Sequence, residues 1–125
     1  MGLCLFPDDG DVDTPDVSWS YHHFDDVRRW LAQAEGFELA DMRGFGGDQP
    51  WSEVSTALVP LLNHPDDHGE LSAAECATVL LRLDQLIKQR AQEPGGPLLR
   101  RMQDLRSLAL ILRICVDKNV ALLFG

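Results

Sequence analysis

The sequence predicts a mostly helical α+β domain, with about four helices around a leucine-rich core. A small two-stranded sheet is expected to pair the N-terminal and C-terminal segments. Three observations carry this reading. Apolar residues recur at helical spacing in two long stretches, one opening at Ser72 and one closing near Asp117. A shorter stretch of the same period lies between Ser20 and Gly36. Leu3, Leu5 and Phe6 form a short apolar run, as do residues 120–124, and an unpaired strand would leave its backbone groups unsatisfied. The 125 residues suit one domain, 1–125, with a conventional core.

Taken in order, the first candidate strand ends at Pro7. Residues 7–17 then carry five aspartates and two prolines. Mutual repulsion and breaker residues make them a flexible, solvated acidic loop. Asp9, Asp11 and Asp13 have the one-three-five spacing of a calcium loop, but Thr14 replaces the required glycine and Ser20 the required glutamate. Ser20 is the expected N-cap of a first helix over 21–35, with Phe24, Val27, Trp30 or Leu31, and Ala34 on its inner face and Gly36 just past its end. Arg28 and Arg29 are expected on its solvated flank. The glycine-rich turn over 44–50 lacks both a P-loop lysine and the G-x-G-x-x-G frame.

A second helix is expected over 51–62, its face supplied by Trp51, Val54, Leu58, Leu61 and Leu62, with Pro60 kinking the last turn. Ser72 and Glu75 spell a capping box that opens a third helix running to about 93. Its stripe is Cys76, Val79, Leu80, Leu83, Leu86 and Ile87, and P-G-G-P over 94–97 stops it. The fourth helix, over 98–117, turns Leu98, Met102, Leu105, Ala109, Leu112 and Cys115 inward. Leu108, Leu110, Ile111 and Ile114 widen that face and make this helix central. Val120 to Phe124 close the chain as the second strand.

Composition excludes several functions. Twenty acidic against 11 basic residues leave a net charge of −9, which opposes nucleic acid and anionic membranes and favours a basic partner. Arg106 and Arg113 share a face of the fourth helix, but Asp104 and Asp117 dilute their charge. Cys4, Cys76 and Cys115 are odd in number and widely spaced, as reduced thiols of a cytoplasmic protein would be. The N-terminal residues lack the charged and apolar regions of a signal peptide, and no apolar run is long enough to span a bilayer. A soluble, cytoplasmic chain is expected.

Residues 64–75 carry the densest chemistry. Aligned on Gly69 as the sixth position of a calcium loop, Asp66 falls third, Ser72 ninth and Glu75 twelfth, but His64 and His68 occupy positions that want oxygen. A transition-metal reading uses His64 and His68 with Asp66 or Asp67, and brings His22 or His23 from the first helix. A capped turn accounts for the same residues without a ligand: Asp66 bonds backbone amides, Gly69 takes a positive φ and Ser72 caps the next helix. The candidate metal set is therefore His64, Asp66, His68 and Glu75, for Ca²⁺ or Zn²⁺, with no cofactor as the leading expectation. Trp19, Tyr21, His22, His23 and Phe24 cluster at the start of the first helix, either closing the core or forming a recognition patch. The candidate partner-binding residues are Trp19, Tyr21, His22, His23, Asp66 and Asp67. As nucleophiles, Ser20 beside His22 and His23 is better explained as a cap, and Cys76 as a core thiol.

The wording W-S-Y-H-H-F, R-R-W-L-A, M-R-G-F-G-G, L-L-N-H-P-D-D-H-G-E-L-S-A-A-E-C and a closing L-L-F, in that order, resembles a family of small bacterial and bacteriophage proteins frequent in actinobacteria. Its members carry a similar N-H-S-D-C-D-G-E segment. The matching positions here are Trp19, Ser20, Phe24, Asn63, His64, Asp66, Gly69, Glu70 and Cys76. Pro65, Asp67 and His68 depart from the pattern, which weakens a thiolate role and a strict calcium geometry. The resemblance supplies no catalytic residue. Its phage and mobile-element setting implies inhibitors, immunity proteins or regulators.

The function expected from these features is a non-catalytic acidic interaction protein that docks on a basic partner through an acidic surface including residues 8–16 and Asp66–Asp67. The alternatives are a metal-binding module built on the 64–75 loop and a small hydrolase using His64 and Asp66.

Overall fold

A computed structural model describes residues 2–11, 13–63, 69–90 and 96–125. The two terminal apolar runs do pair, but as the centre of a larger sheet. Strand β1 (Gly2–Pro7) lies between β2 (Val17–Ser20) and β4 (Leu122–Phe124), and β3 (Glu70–Leu71) completes the antiparallel order β2-β1-β4-β3. The register places Leu3 opposite Trp19, Leu5 opposite both Val17 and Phe124, and Leu71 opposite Leu122. The expected two-stranded sheet is therefore corrected to four strands. Val17–Ser20 was hidden because its last residue doubles as the helix cap, and a two-residue strand is too short to show alternation.

The alternation of strand side chains sorts the sheet into two faces. Leu3, Leu5, Val17, Leu71, Leu122 and Phe124 are buried beneath the helices. Cys4, Phe6, Ser18 and Leu123 fall on the other face. The acidic connection is shorter than expected, because Pro7 and Val17 belong to strands; residues 8–16 join β1 to β2.

Helix α1 (Tyr21–Ala34) is capped by Ser20, whose Oγ accepts the His23 amide at 3.0 Å. It buries Phe24, Val27 and Leu31. Arg28 is no flank residue: it is 3 % exposed, its guanidinium carbon 4.4 Å from the Phe24 ring centre and 5.1 Å from that of Phe45. Position 28 follows Phe24 by one turn, so the helical period carries it inward.

The expected second helix over 51–62 breaks into a 3₁₀ turn at Trp51–Glu53 and a single α turn, α2 (Val59–Leu62). Pro60 lies at the start of α2 and not in its last turn. Its missing N–H and its ring stop any helix arriving from upstream. Between α1 and this region, Leu39, Met42 and Ala32 form a second small core with Phe37, Phe45, Trp51 and Val54 around it. Gly47 is required there, since a Cβ would meet the Asp41 backbone at 2.1 Å.

Helices α3 (Ala73–Arg90) and α4 (Gly96–Lys118) form the main packed pair, with α1 and α4 over the sheet. Residues 91–93 of the expected third helix, and Pro94 and Gly95 of the stop signal, lie outside the described residues. Most residues expected on the inner faces of α3 and α4 are buried, Ile87 and Ile114 only partly, and the Leu98 side chain lies outside the described residues; Leu110 is 52 % exposed, off the buried face it was expected to widen. After α4 the chain reverses at Asn119, which takes φ 54°, and the Val120 amide bonds the Cys115 carbonyl at 2.9 Å. Asparagine tolerates this left-handed geometry better than most residues. Among the described residues, no helix is long and apolar enough to cross a membrane.

Candidate functional site

The outer face of β1 and the turn that follows it enclose an open cleft of about 400 Å³. Its wall combines the carboxylates Asp8, Asp9, Asp11 and Asp16 with Cys4, Phe6, Pro7 and Thr14. β1 supplies Cys4 and Phe6 because they alternate with the buried Leu3 and Leu5. Gly10 turns the chain at φ 69°.

Asp9 organises the turn. Its Oδ1 accepts the Asp11 amide at 3.0 Å, and its Oδ2 accepts the Thr14 hydroxyl at 2.6 Å. The same Oδ2 receives the ammonium of Lys118, from the end of α4, at 2.7 Å. Asp11 repeats the pattern one step on, accepting the Asp13 amide at 2.9 Å. These are the self-bonded turns that aspartate favours. The Asp9 side chain is only 6 % exposed, whereas Lys118 reaches it from solvent at 44 %. The Lys118 bond, then those from Thr14 and the Asp11 amide, hold the Asp9 carboxyl well below the usual carboxylate range. In return Asp9 raises the Lys118 ammonium.

Cys4 donates its thiol to Asp16 Oδ2 at 3.4 Å. Burial, then that carboxylate, push its pKa up, so at neutral pH it is a protonated thiol and a poor nucleophile. Asp8, Asp11 and Asp16 are exposed around the rim, and Phe6 is 37 % exposed beside them. The cleft thus offers negative charge with an aromatic ring, a combination suited to an ammonium or guanidinium on an apolar stem.

The aromatic cluster at the start of α1 is used for packing and for one polar network. Trp19 and Tyr21 rest against the core. The Trp19 ring lies 5.1 Å from that of His23, and Phe24 meets Phe124 edge-on at 6.1 Å. His23 Nε2 is buried and lies 3.1 Å from Asp104 Oδ1, close enough for an ion pair but without the alignment of a hydrogen bond. Arg101 reaches the other Asp104 oxygen at 3.2 Å. His22 points to solvent, 3.4 Å from Asp26. Ser20 is occupied as the cap of α1, which explains the serine without a catalytic role.

His64, Asp66, Asp67 and His68 lie outside the described residues. Glu75, the remaining member of the candidate metal set, is in the capping box: its Oε1 accepts the Ser72 amide at 3.0 Å, and Ser72 Oγ accepts the Glu75 amide at 3.1 Å. Gly69 has the expected positive φ, 95°, and its carbonyl accepts the Phe124 amide at 3.0 Å. Among the described residues, no three His, Cys, Asp or Glu side chains are grouped to hold a metal.

The sequence reading puts residues 8–16 on an acidic docking surface but misses Cys4 and Phe6 as parts of the cleft and Lys118 as the partner of its Asp9. Period-two alternation in β1 was the available signal for the first two. Lys118 arrives through tertiary structure, from 109 residues away, and had no local signal. No family model, no curated protein and no solved structure matches the chain, so the chemistry of the cleft has to carry the functional reading.

Proposed function

We propose that this chain is a non-catalytic acidic interaction protein, an inhibitor, immunity protein or regulator, that grips a basic side chain of a partner protein in the cleft between β1 and residues 8–16. The observation that carries the reading is the Lys118 ammonium on Asp9, an internal example of the cation the cleft would take from a partner. Three further carboxylates line the same cleft, beyond the one that Lys118 neutralises. The net charge of −9 extends the attraction beyond the cleft and speeds encounter with a basic surface. The resemblance noted above points the same way, toward inhibitors, immunity proteins and regulators.

The test is binding of a lysine- and arginine-rich peptide by calorimetry at two salt concentrations. The wild-type chain is expected to bind with an affinity that falls as salt rises. Asp8→Asn combined with Asp16→Asn should weaken binding about tenfold, the loss of roughly two exposed charge contacts. Lys118→Met, which removes the competing internal cation, should strengthen it. Equal binding by all three proteins would place the contact elsewhere and defeat the proposal.

A further inference from the structure

Two thiols that the cleft does not use meet in the core. Cys76 lies early in α3 and Cys115 late in α4, and both are fully buried, at 0 % exposure. Both are free thiols. Both belong to one buried cluster, on the two helices that pack as the main pair. Their partners fix where they meet: Cys76 Sγ lies 3.7 Å from the Leu71 carbonyl, and Cys115 Sγ lies 3.7 Å from the Ala121 carbonyl. Leu71 pairs with Leu122, the neighbour of Ala121, so the two sulfurs converge where β3 and β4 join.

We infer that Cys76 and Cys115 form a redox-sensitive dithiol that a small-molecule disulfide closes into a buried protein disulfide. The two thiols differ in their cover. Cys76 donates to the Leu71 carbonyl of the edge strand β3, whereas Cys115 donates to the Ala121 carbonyl, next to the inner strand β4. Cys76, the sulfur that opening of the edge uncovers first, is the attacking one and Cys115 the resolving one. The Cys76 thiolate displaces one thiolate from the small disulfide, breaking its S–S bond and forming a mixed disulfide. Cys115 then passes its proton to the departed thiolate and attacks the Cys76 sulfur, and the second half of the oxidant leaves as a thiolate that takes the Cys76 proton. Two protein thiols have lost two electrons and two protons, and one disulfide has become two thiols.

Access requires opening of the edge. β3 is only two residues long and pairs on one side alone, so its detachment exposes Cys76 at lower cost than global unfolding. The bridge would tie the start of α3 to the end of α4. It would also take the Cys115 donor from the Ala121 carbonyl, which holds the Asp8 amide at 2.9 Å on the rim of the cleft.

The full chain is incubated under native conditions across a series of reduced-to-oxidised glutathione ratios, alkylated, and mapped by peptide mass. The expected result is a Cys76–Cys115 linked peptide two hydrogens lighter than the reduced pair, with Cys4 alkylated, and reversal by dithiothreitol. Closing a loop of about 40 residues should also raise the melting temperature by about 10 °C. In Cys115→Ala the reaction should stop as a glutathione adduct on Cys76. Three alkylated cysteines at every ratio, a link that forms only in denaturant, or a link through Cys4 would each overturn the assignment. The wild-type map decides the matter even where the alanine variant folds poorly.

Discussion

Arg28 shows how a single side chain can overrule its type. Its charge argues for solvent, yet its place one turn after Phe24 puts it among Phe24, Val27 and Leu31, and Phe45 closes over it from the glycine-rich turn. Two aromatic faces replace part of the hydration that burial removes, and the planar guanidinium stacks where an ammonium would not. Arg28→Lys is therefore expected to cost about 1–2 kcal/mol, and Arg28→Ala about 2–4 kcal/mol through the cavity it leaves. Arg28→Met keeps the stem and removes the charge, so it separates packing from cation–π attraction. Denaturant melts of the three variants provide the check; a methionine variant as stable as wild type would mean that the charge contributes nothing. The helical spacing carries position 28 inward, but its charge put it on the solvated flank in the sequence reading; the covering ring at position 45 had no local signal, because that contact depends on a turn distant in sequence.

At the level of elements, local rules were readable wherever the signal lay within a few residues. The Ser20 cap, the Ser72–Glu75 box and the positive φ of Gly69 all follow from neighbours in the chain. The reciprocal box satisfies two backbone donors at once. Ser72→Ala and Glu75→Ala are each expected to cost about 1 kcal/mol, and the double variant less than the sum, because either change already breaks the reciprocal pair. A double-mutant cycle on thermal melts measures that coupling, and strict additivity would rule out a reciprocal box. Apart from the pairing of the two terminal runs, elements that depend on distant partners were not readable. β3 is defined only by β4, 51 positions later in its Leu71–Leu122 pairing. The end of α1 is fixed to α3 by Glu35 and Arg82, at 2.5 and 3.1 Å, a bidentate link across 47 residues. The 51–62 segment failed for the opposite reason: its apolar spacing suited a helix, but Pro60 makes a start where the reading wanted an end.

Over the whole molecule, the acidic turn and the C-terminal end of α4 are joined through the Asp9–Lys118 pair, across 109 residues of chain. Net charge announced an acidic surface, but only the packing of α4 against the β1–β2 connection shows that Asp9 is the aspartate Lys118 neutralises, beside three more that line the cleft. The sign of the resulting pH dependence follows from the direction of the shift. The Asp9 carboxyl is lowered on folding, so its contribution to stability is fully present above the unfolded carboxylate value, about 3.9, and is lost as pH falls toward the lower folded value. Lys118 is raised on folding, so its contribution is present below the unfolded lysine value, about 10.4, and is lost as pH rises through the folded one. The pair therefore acts across the window from about pH 4 to pH 10. Asp9→Asn keeps the shape and the Thr14 contact within reach but cannot be titrated. Its acid melt, followed by circular dichroism from pH 6 down to pH 2, is expected to be shallower than that of wild type, with the two curves converging at the acid end where wild-type Asp9 is losing its charge. At pH 7 the variant should melt lower than wild type, by a margin that shrinks in high salt because Lys118 is half exposed. Parallel acid limbs would show that Asp9 is no more acidic folded than unfolded, and the cation on it would then be no guide to what the cleft binds.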